Sequence, residues 1–272
     1  MAFEPAFFLE LALKMAMTAA IVVTASVLVE RSGPFVGALI AALPTAAGAV
    51  YIILAIEHPP AFIAASAVGS MVSNAAVAVF ALTYAALAQR RGLALSLGGA
   101  FAVWFAAAAL LHLLPWNATA ALVLNMVVLS LTAWAGSRFQ TDGPPPKPEP
   151  RRGDLAWRAL TVAVCVAIVT VASHRIGSFA SGMFAVFPVA MGSFFIILHP
   201  RIGGPAAASV AAHVQAPLFG LVLGFLTVHD LAGTIGVWWS YAAGLAVGVA
   251  WNALLWRIKR RQAAAAAASR SG

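Results

Sequence analysis

The sequence predicts an all-α integral membrane protein: nine transmembrane helices, set out as two inverted four-helix repeats plus a connecting helix. Three observations predict it. The chain is 62% hydrophobic and 9% charged, against roughly 45–50% and about 25% in soluble domains. Its 272 residues break into apolar runs, most of them near the roughly 20 residues that one bilayer crossing needs. Residues 10–54 slide onto residues 154–198 without a gap, and fifteen of 45 positions are identical.

The runs read, in order, as 7–29, 34–56, 61–88, 93–114, 118–137, 155–173, 178–198, 205–228 and 232–256. The first opens with Glu4 and Glu10 rather than a basic stretch. It also has a repeat mate at 154–173, so it reads as a span and not as a cleaved signal peptide. The second follows Arg31 and Gly33 and carries Pro44 near its centre; the seventh follows Arg175 and Gly177 and carries Pro188. Short polar or proline-bearing turns separate the others, among them Glu57-His58-Pro59-Pro60 and Arg90-Arg91-Gly92. The stretch 138–153, RFQTDGPPPKPEPRRG, cannot bury a core and reads as a solvated linker. The plan is therefore a first repeat at 1–115, a connecting span at 116–137, the linker at 138–153, a second repeat at 154–258 and a disordered tail at 259–272.

Charge orients the chain. Fourteen of its 16 Lys and Arg fall on one side if the C-terminus is cytoplasmic, with only Lys14 and Arg175 on the other. The amino terminus is then outside, and a bacterial inner membrane fits. The net charge of +8 is an orientation signal and a draw to anionic lipid, so the lipid bilayer is a partner and nucleic acid is not. The single Cys165 permits no intrachain disulfide. The matched first and sixth runs lie five spans apart, so the copies cross in opposite directions. Inverted repeats of this kind are typical of secondary transporters, with a site near mid-membrane.

The run from Arg31 to Pro44-Thr45 and its echo from Arg175 to Pro188-Val189 resemble the small four-span GlpM-like bacterial inner-membrane proteins, which carry a similar arginine–glycine turn and phenylalanine–proline helix. The resemblance covers the first two spans of each half and implies a fused, inverted pair of such units. It brings no catalytic residue and no transport chemistry.

All eight acids lie in loops or near helix ends, so the usual intramembrane proton or sodium handle is lacking. Pro44 and Pro188 each remove a backbone donor mid-span and should break their helices. Two helix starts facing each other there could hold an anionic group. Ser66, Ser70 and Ser73 share a helical face with Asn74 beside them, and the eighth run offers His213 and Gln215. Pro44, Thr45, Ser70, Ser73, Asn74, Pro188, His213 and Gln215 are the expected solute-binding residues; interhelical bonding is the competing role of the polar ones. Glu10/Lys14 and Asp154/Arg158 are i,i+4 pairs in equivalent first turns. With Arg31 and Arg175 they are the expected gate or interface residues. No P-loop, HExxH or metal-spaced Cys/His pattern is present, so neither enzyme nor cofactor nor metal is expected. The expected function is movement of a small organic or anionic solute by alternating access, with a homodimer as a further partner. The rival is a membrane scaffold or assembly factor that binds lipid or a protein.

Overall fold

A computed structural model describes residues 15, 16, 20, 24, 45–141 and 152–271, and there the chain is helical with short turns and no strand. The helices are α1 (Thr45–Glu57), α2 (Pro60–Ala88), α3 (Leu93–His112), α4 (Ala118–Ser137), α5 (Arg152–Ala185), α6 (Val189–Ile202), α7 (Gly204–His213), α8 (Gln215–Leu231) and α9 (Val237–Ser271). Five stretches are long and apolar enough to cross a membrane: Pro60–Ala88, Leu93–His112, Ala118–Ser137, Gly153–Ile202 and Gly204–Leu231. The protein is thus an all-helical, multi-pass membrane protein. The expected 7–29 span, apart from four isolated positions, and the first part of 34–56 lie outside the described residues.

Local chemistry sets the helix ends. Pro60 sits in the first turn of α2, behind an extended Pro59, where a missing N–H costs nothing. Asn117 caps α4 by accepting from the Ala120 N–H at 2.8 Å. Gly177 interrupts α5 at φ 78°, ψ 174°, a conformation that essentially only glycine adopts. The chain folds back there, because Asp154 near the start of the 50-residue apolar stretch meets Arg201 near its end at 2.6 and 2.7 Å. Residues 152–176 and 178–202 are therefore antiparallel arms, matching the sixth and seventh expected runs. The second arm is itself broken at Pro188 (φ −76°, ψ 43°), between Ala185 and Val189. Val214 keeps helical dihedrals between α7 and α8, so 204–231 is one bent span. α9 starts at Val237 rather than 232 and continues helical to Ser271, through the residues expected to be a disordered tail. Its alanine run is the strongest helix former there is.

The core is built around α2, which is buried along almost its whole length. Alanine, glycine and serine line it, so neighbouring backbones approach closely. A Cβ on Gly69 would overlap the Phe179 carbonyl, and one on Gly182 would overlap Ser66. The 204–231 span lies antiparallel to α2 over its full length. Gly204 abuts the Ala88 carbonyl, Gln215 donates to Ala78 O at 3.1 Å, Asn74 donates to Leu218 O at 3.3 Å, and His229 donates to Ala64 O at 2.9 Å. Outward faces are apolar. Val123, Val127, Leu131 and Trp134 make an exposed stripe on α4, and Leu160, Val164, Ile168 and Val171 make one on α5. Contiguous exposed apolar faces of this kind mark contact with lipid.

Candidate functional site

Four of the eight expected solute-binding residues, Ser70, Ser73, Asn74 and Gln215, lie in the seam around α2, and the hydrogen bonds of Ser70, Asn74 and Gln215 go to other helices. Ser70 is fully buried. It donates to Gly182 O at 2.7 Å and therefore accepts from the Tyr51 hydroxyl at 2.7 Å. Asn74 donates to Asn125 Oδ1 at 2.9 Å as well as to Leu218. Asn125 donates in turn to Met71 O at 2.7 Å. Gln215 accepts from Thr132 at 2.9 Å while donating to α2. These bonds tie α1, α2, α4, α5 and α8 together. Ser66 Oγ, Ser73 Oγ and Asn74 Oδ1 are buried without a partner.

Pro188 opens α6, but its surroundings are aromatic. Phe187 packs against Phe101 and Trp104 with ring centroids 5.4 and 4.9 Å apart. A Cβ on Gly192 would strike the Phe101 ring. No cation faces the break among these contacts, so the positive helix end sits in an apolar surround. Pro44 lies outside the described residues, and Thr45 opens α1.

His213 is placed differently. Its ring donates Nδ1–H to Ser209 O at 2.7 Å, one turn back on α7. It also lines a cavity of about 550 Å³ between α1, the 204–231 span and α9. The other lining residues among the described ones are overwhelmingly apolar, with Gly48, Tyr51, Pro217, Gly220, Gly224, Phe225, Tyr241, Gly244, Gly248 and Asn252 among them. Lining residues of the 204–231 span run from Val210 to Val228, so the cavity is centred at mid-span. Tyr51 joins cavity and seam: its hydroxyl reaches Ser70, its carbonyl accepts from Tyr241 at 2.9 Å, and its ring leans on Phe225 at 5.4 Å. Neither tyrosine stood out in the sequence, where an aromatic in an apolar run carries no signal of its own.

Of the expected gate residues, Glu10, Lys14 and Arg31 lie outside the described residues. Asp154 takes a bidentate pair with Arg201 across the α5–α6 hairpin, a partner that the i,i+4 reading did not name. Arg158 is also engaged. Arg175 is exposed at the end of the first arm of α5.

A second polar group lies at the other end of α2, where Glu57, His58 and His174 bring one ligand-type atom each within 4.8 Å of one another. His174 Nε2 is 3.6 Å from Glu57 Oε2. Ser173 donates its hydroxyl proton to Thr170 O at 2.8 Å, so its oxygen accepts from His58 Nε2–H at 3.0 Å. The His58 ring also stacks on Phe62, 3.8 Å between centroids. Partial burial, then the neighbouring His174, hold its pKa below the ordinary histidine value, and Glu57 opposes them.

The fold and these sites define a multi-pass helical membrane protein with a mid-span apolar cavity. No family model matches the chain, and no curated protein or solved structure matches it.

Proposed function

We propose that the protein is a secondary-transporter-like protein of a bacterial inner membrane that moves a small, largely apolar organic solute by alternating access between inverted repeats. The observation that carries this reading is the cavity of about 550 Å³ beside the α2 seam, within the roughly 300–1,000 Å³ of small-molecule sites. Its lining favours an organic solute over an anion, because no Lys or Arg stands among the described lining residues. His213, Tyr51, Tyr241 and Asn252 offer the few polar groups that would orient it.

Nine spans in two inverted repeats fit the same geometry. With one gap the third run sets Ala64-Ala65-Ser66 on Ala207-Ala208-Ser209 of the eighth; these runs are α2 and 204–231, which lie antiparallel. The bond between them from Asn74 to Leu218 joins residues 144 apart, within one residue of the 143-residue shift of that match. A pseudo-twofold axis in the membrane plane would pass there, as in other inverted-repeat transporters. The GlpM-like resemblance fits this reading as two such units fused. Orientation fits too. Arg90 and Arg91 follow α2 directly, and Gly204 packs on its last turn beside Arg201. That end is the cytoplasmic one by the positive-inside rule.

The scaffold reading draws on the seam itself, whose polar groups mostly bond to protein, and on the aromatic packing at Pro188. Reconstituted vesicles discriminate the two. Solutes that raise the melting temperature of purified protein are tested for uptake, with Gly48→Leu as the cavity-filled variant. Among the described residues Gly48 has no atom within 4 Å of an added Cβ, so leucine enters the cavity without a clash against their backbone. Uptake lost in a folded Gly48→Leu supports transport. Equal fluxes in empty, wild-type and Gly48→Leu vesicles for every stabilising solute would leave the scaffold.

A further inference from the structure

We propose that Glu57, His58 and His174 form a site for a divalent transition metal of the zinc type, at the end of α2 opposite Arg201. The inference does not depend on transport. Two imidazoles and a carboxylate are a donor set that suits zinc and its neighbours in the first row, whereas magnesium and calcium take oxygen ligands. With metal–ligand bonds of about 2.0–2.2 Å, tetrahedral zinc holds its donor atoms about 3.3–3.6 Å apart. His174 Nε2 and Glu57 Oε2 already stand at 3.6 Å, and all three donors lie within 4.8 Å.

The surroundings prepare the ligands. Ser173 takes the Nε2 proton of His58, which leaves the lone pair on Nδ1 and fixes the neutral tautomer that a metal needs. A hydrogen bond of this kind orients ligating histidines generally. Phe62 covers one face of the same ring. Pro59 and Pro60 follow His58 directly and stiffen the backbone behind it. The Gly177 break ends the helical arm that carries His174 three residues earlier. The His174 side chain is 60% exposed, so the fourth coordination position opens to water.

A bound metal ties the α1–α2 turn to the first arm of α5. The test uses full-length protein carrying a tag without histidines, in detergent, stripped with chelator and titrated with zinc chloride by calorimetry. Cobalt(II) gives a second readout, since a tetrahedral site absorbs strongly in the visible. The expected result is one zinc per chain, a higher melting temperature with zinc and none of that rise with magnesium. His58→Ala and His174→Ala each abolish the site, Ser173→Ala weakens it about 10- to 100-fold, and His112→Ala leaves it unchanged. His174 is exposed enough for alanine to leave no hole, which keeps the test independent of folding. Absence of zinc binding by the wild type, or the same zinc affinity in His58→Ala and His174→Ala, would overturn the proposal.

Discussion

Replacing Asn125 by leucine asks whether the polar seam holds the helices together. Asn125 is fully buried on α4. It accepts from Asn74 Nδ2 at 2.9 Å and donates to Met71 O at 2.7 Å, both on α2, and donates to Ala121 O at 2.8 Å on its own helix. Leucine keeps the volume and deletes all three bonds. The bond to Ala121 runs within α4, so the two to α2 carry the interhelical effect. Such bonds average about 0.6 kcal/mol in membrane proteins and reach about 1.7. The expected loss is therefore about 1–3 kcal/mol. Ser73 on α2 is the control, because its buried hydroxyl has no partner. Ser73→Ala removes an unmet polar group and should be neutral or slightly stabilising. Unfolding in mixed micelles of rising denaturing-detergent content measures both. Adding Asn74→Ala to Asn125→Leu completes a double-mutant cycle, with an expected coupling near that of the shared bond. Equal stability of Asn125→Leu and Ser73→Ala would refute the reasoning. So would Asn74 and Asn125 effects that add within about 0.3–0.5 kcal/mol, the margin for independent sites.

Three further outcomes are expected. Gly177→Ala should cost about 1–3 kcal/mol in the same unfolding assay, because the φ of 78° and ψ of 174° suit glycine alone although the space around it is open. Gly182→Val should be far worse than Gly48→Leu, since a Cβ on Gly182 would overlap the Ser66 backbone while one on Gly48 meets no atom of the described residues within 4 Å; folded yield after membrane extraction reads this directly. Asp154→Asn should cost about 1 kcal/mol, given a bidentate but partly exposed pair with Arg201, and Asp154→Arg combined with Arg201→Asp should recover part of it.

The helix plan was legible where the apolar run had a chemical stop at each end. Asn117 before α4 and Pro59-Pro60 before α2 mark starts that the structure keeps to within a residue. The break at Pro188 was legible for the same reason, because proline's missing N–H acts locally. The roles of the polar residues were not. Spacing put Ser66, Ser70 and Ser73 on one face, but whether a hydroxyl meets a carbonyl depends on where Gly182 falls on another helix. Gln215 and His213 stand two residues apart, yet one reaches α2 and the other faces the cavity, because that step turns the side chain through most of a half-circle. The Glu57, His58 and His174 group carried no sequence signal at all. Its members come from two elements more than a hundred residues apart, and only the α1–α5 packing joins them.

The repeat makes its sharpest physical demand at the two ends of α2. With the one-residue gap that sets Ala64-Ala65-Ser66 on Ala207-Ala208-Ser209, Ala61 and Pro205 fall within one residue of equivalent positions, and both are exposed. Ala61 sits in the first turn of α2, and Pro205 follows Gly204, which packs on the last turn at Ala88. At 1.5 Å per residue, the 29 residues of α2 are about 43 Å long, more than the roughly 30 Å hydrocarbon core. The two positions therefore belong on opposite faces of the bilayer if α2 crosses it. A parallel duplication would put equivalent residues on the same face. With Cys165 first replaced by alanine, single cysteines at Ala61 and Pro205 are exposed to an impermeant maleimide in right-side-out and inverted vesicles. Ala61→Cys should label from outside only, and Pro205→Cys from the cytoplasmic side only, where Arg90 and Arg91 also lie. Labelling of both from one side would refute the proposed inverted repeat, and with it the proposed axis near Asn74 and Leu218. Labelling from opposite sides but with Ala61 cytoplasmic would keep the symmetry and reverse the orientation that the basic residues imply.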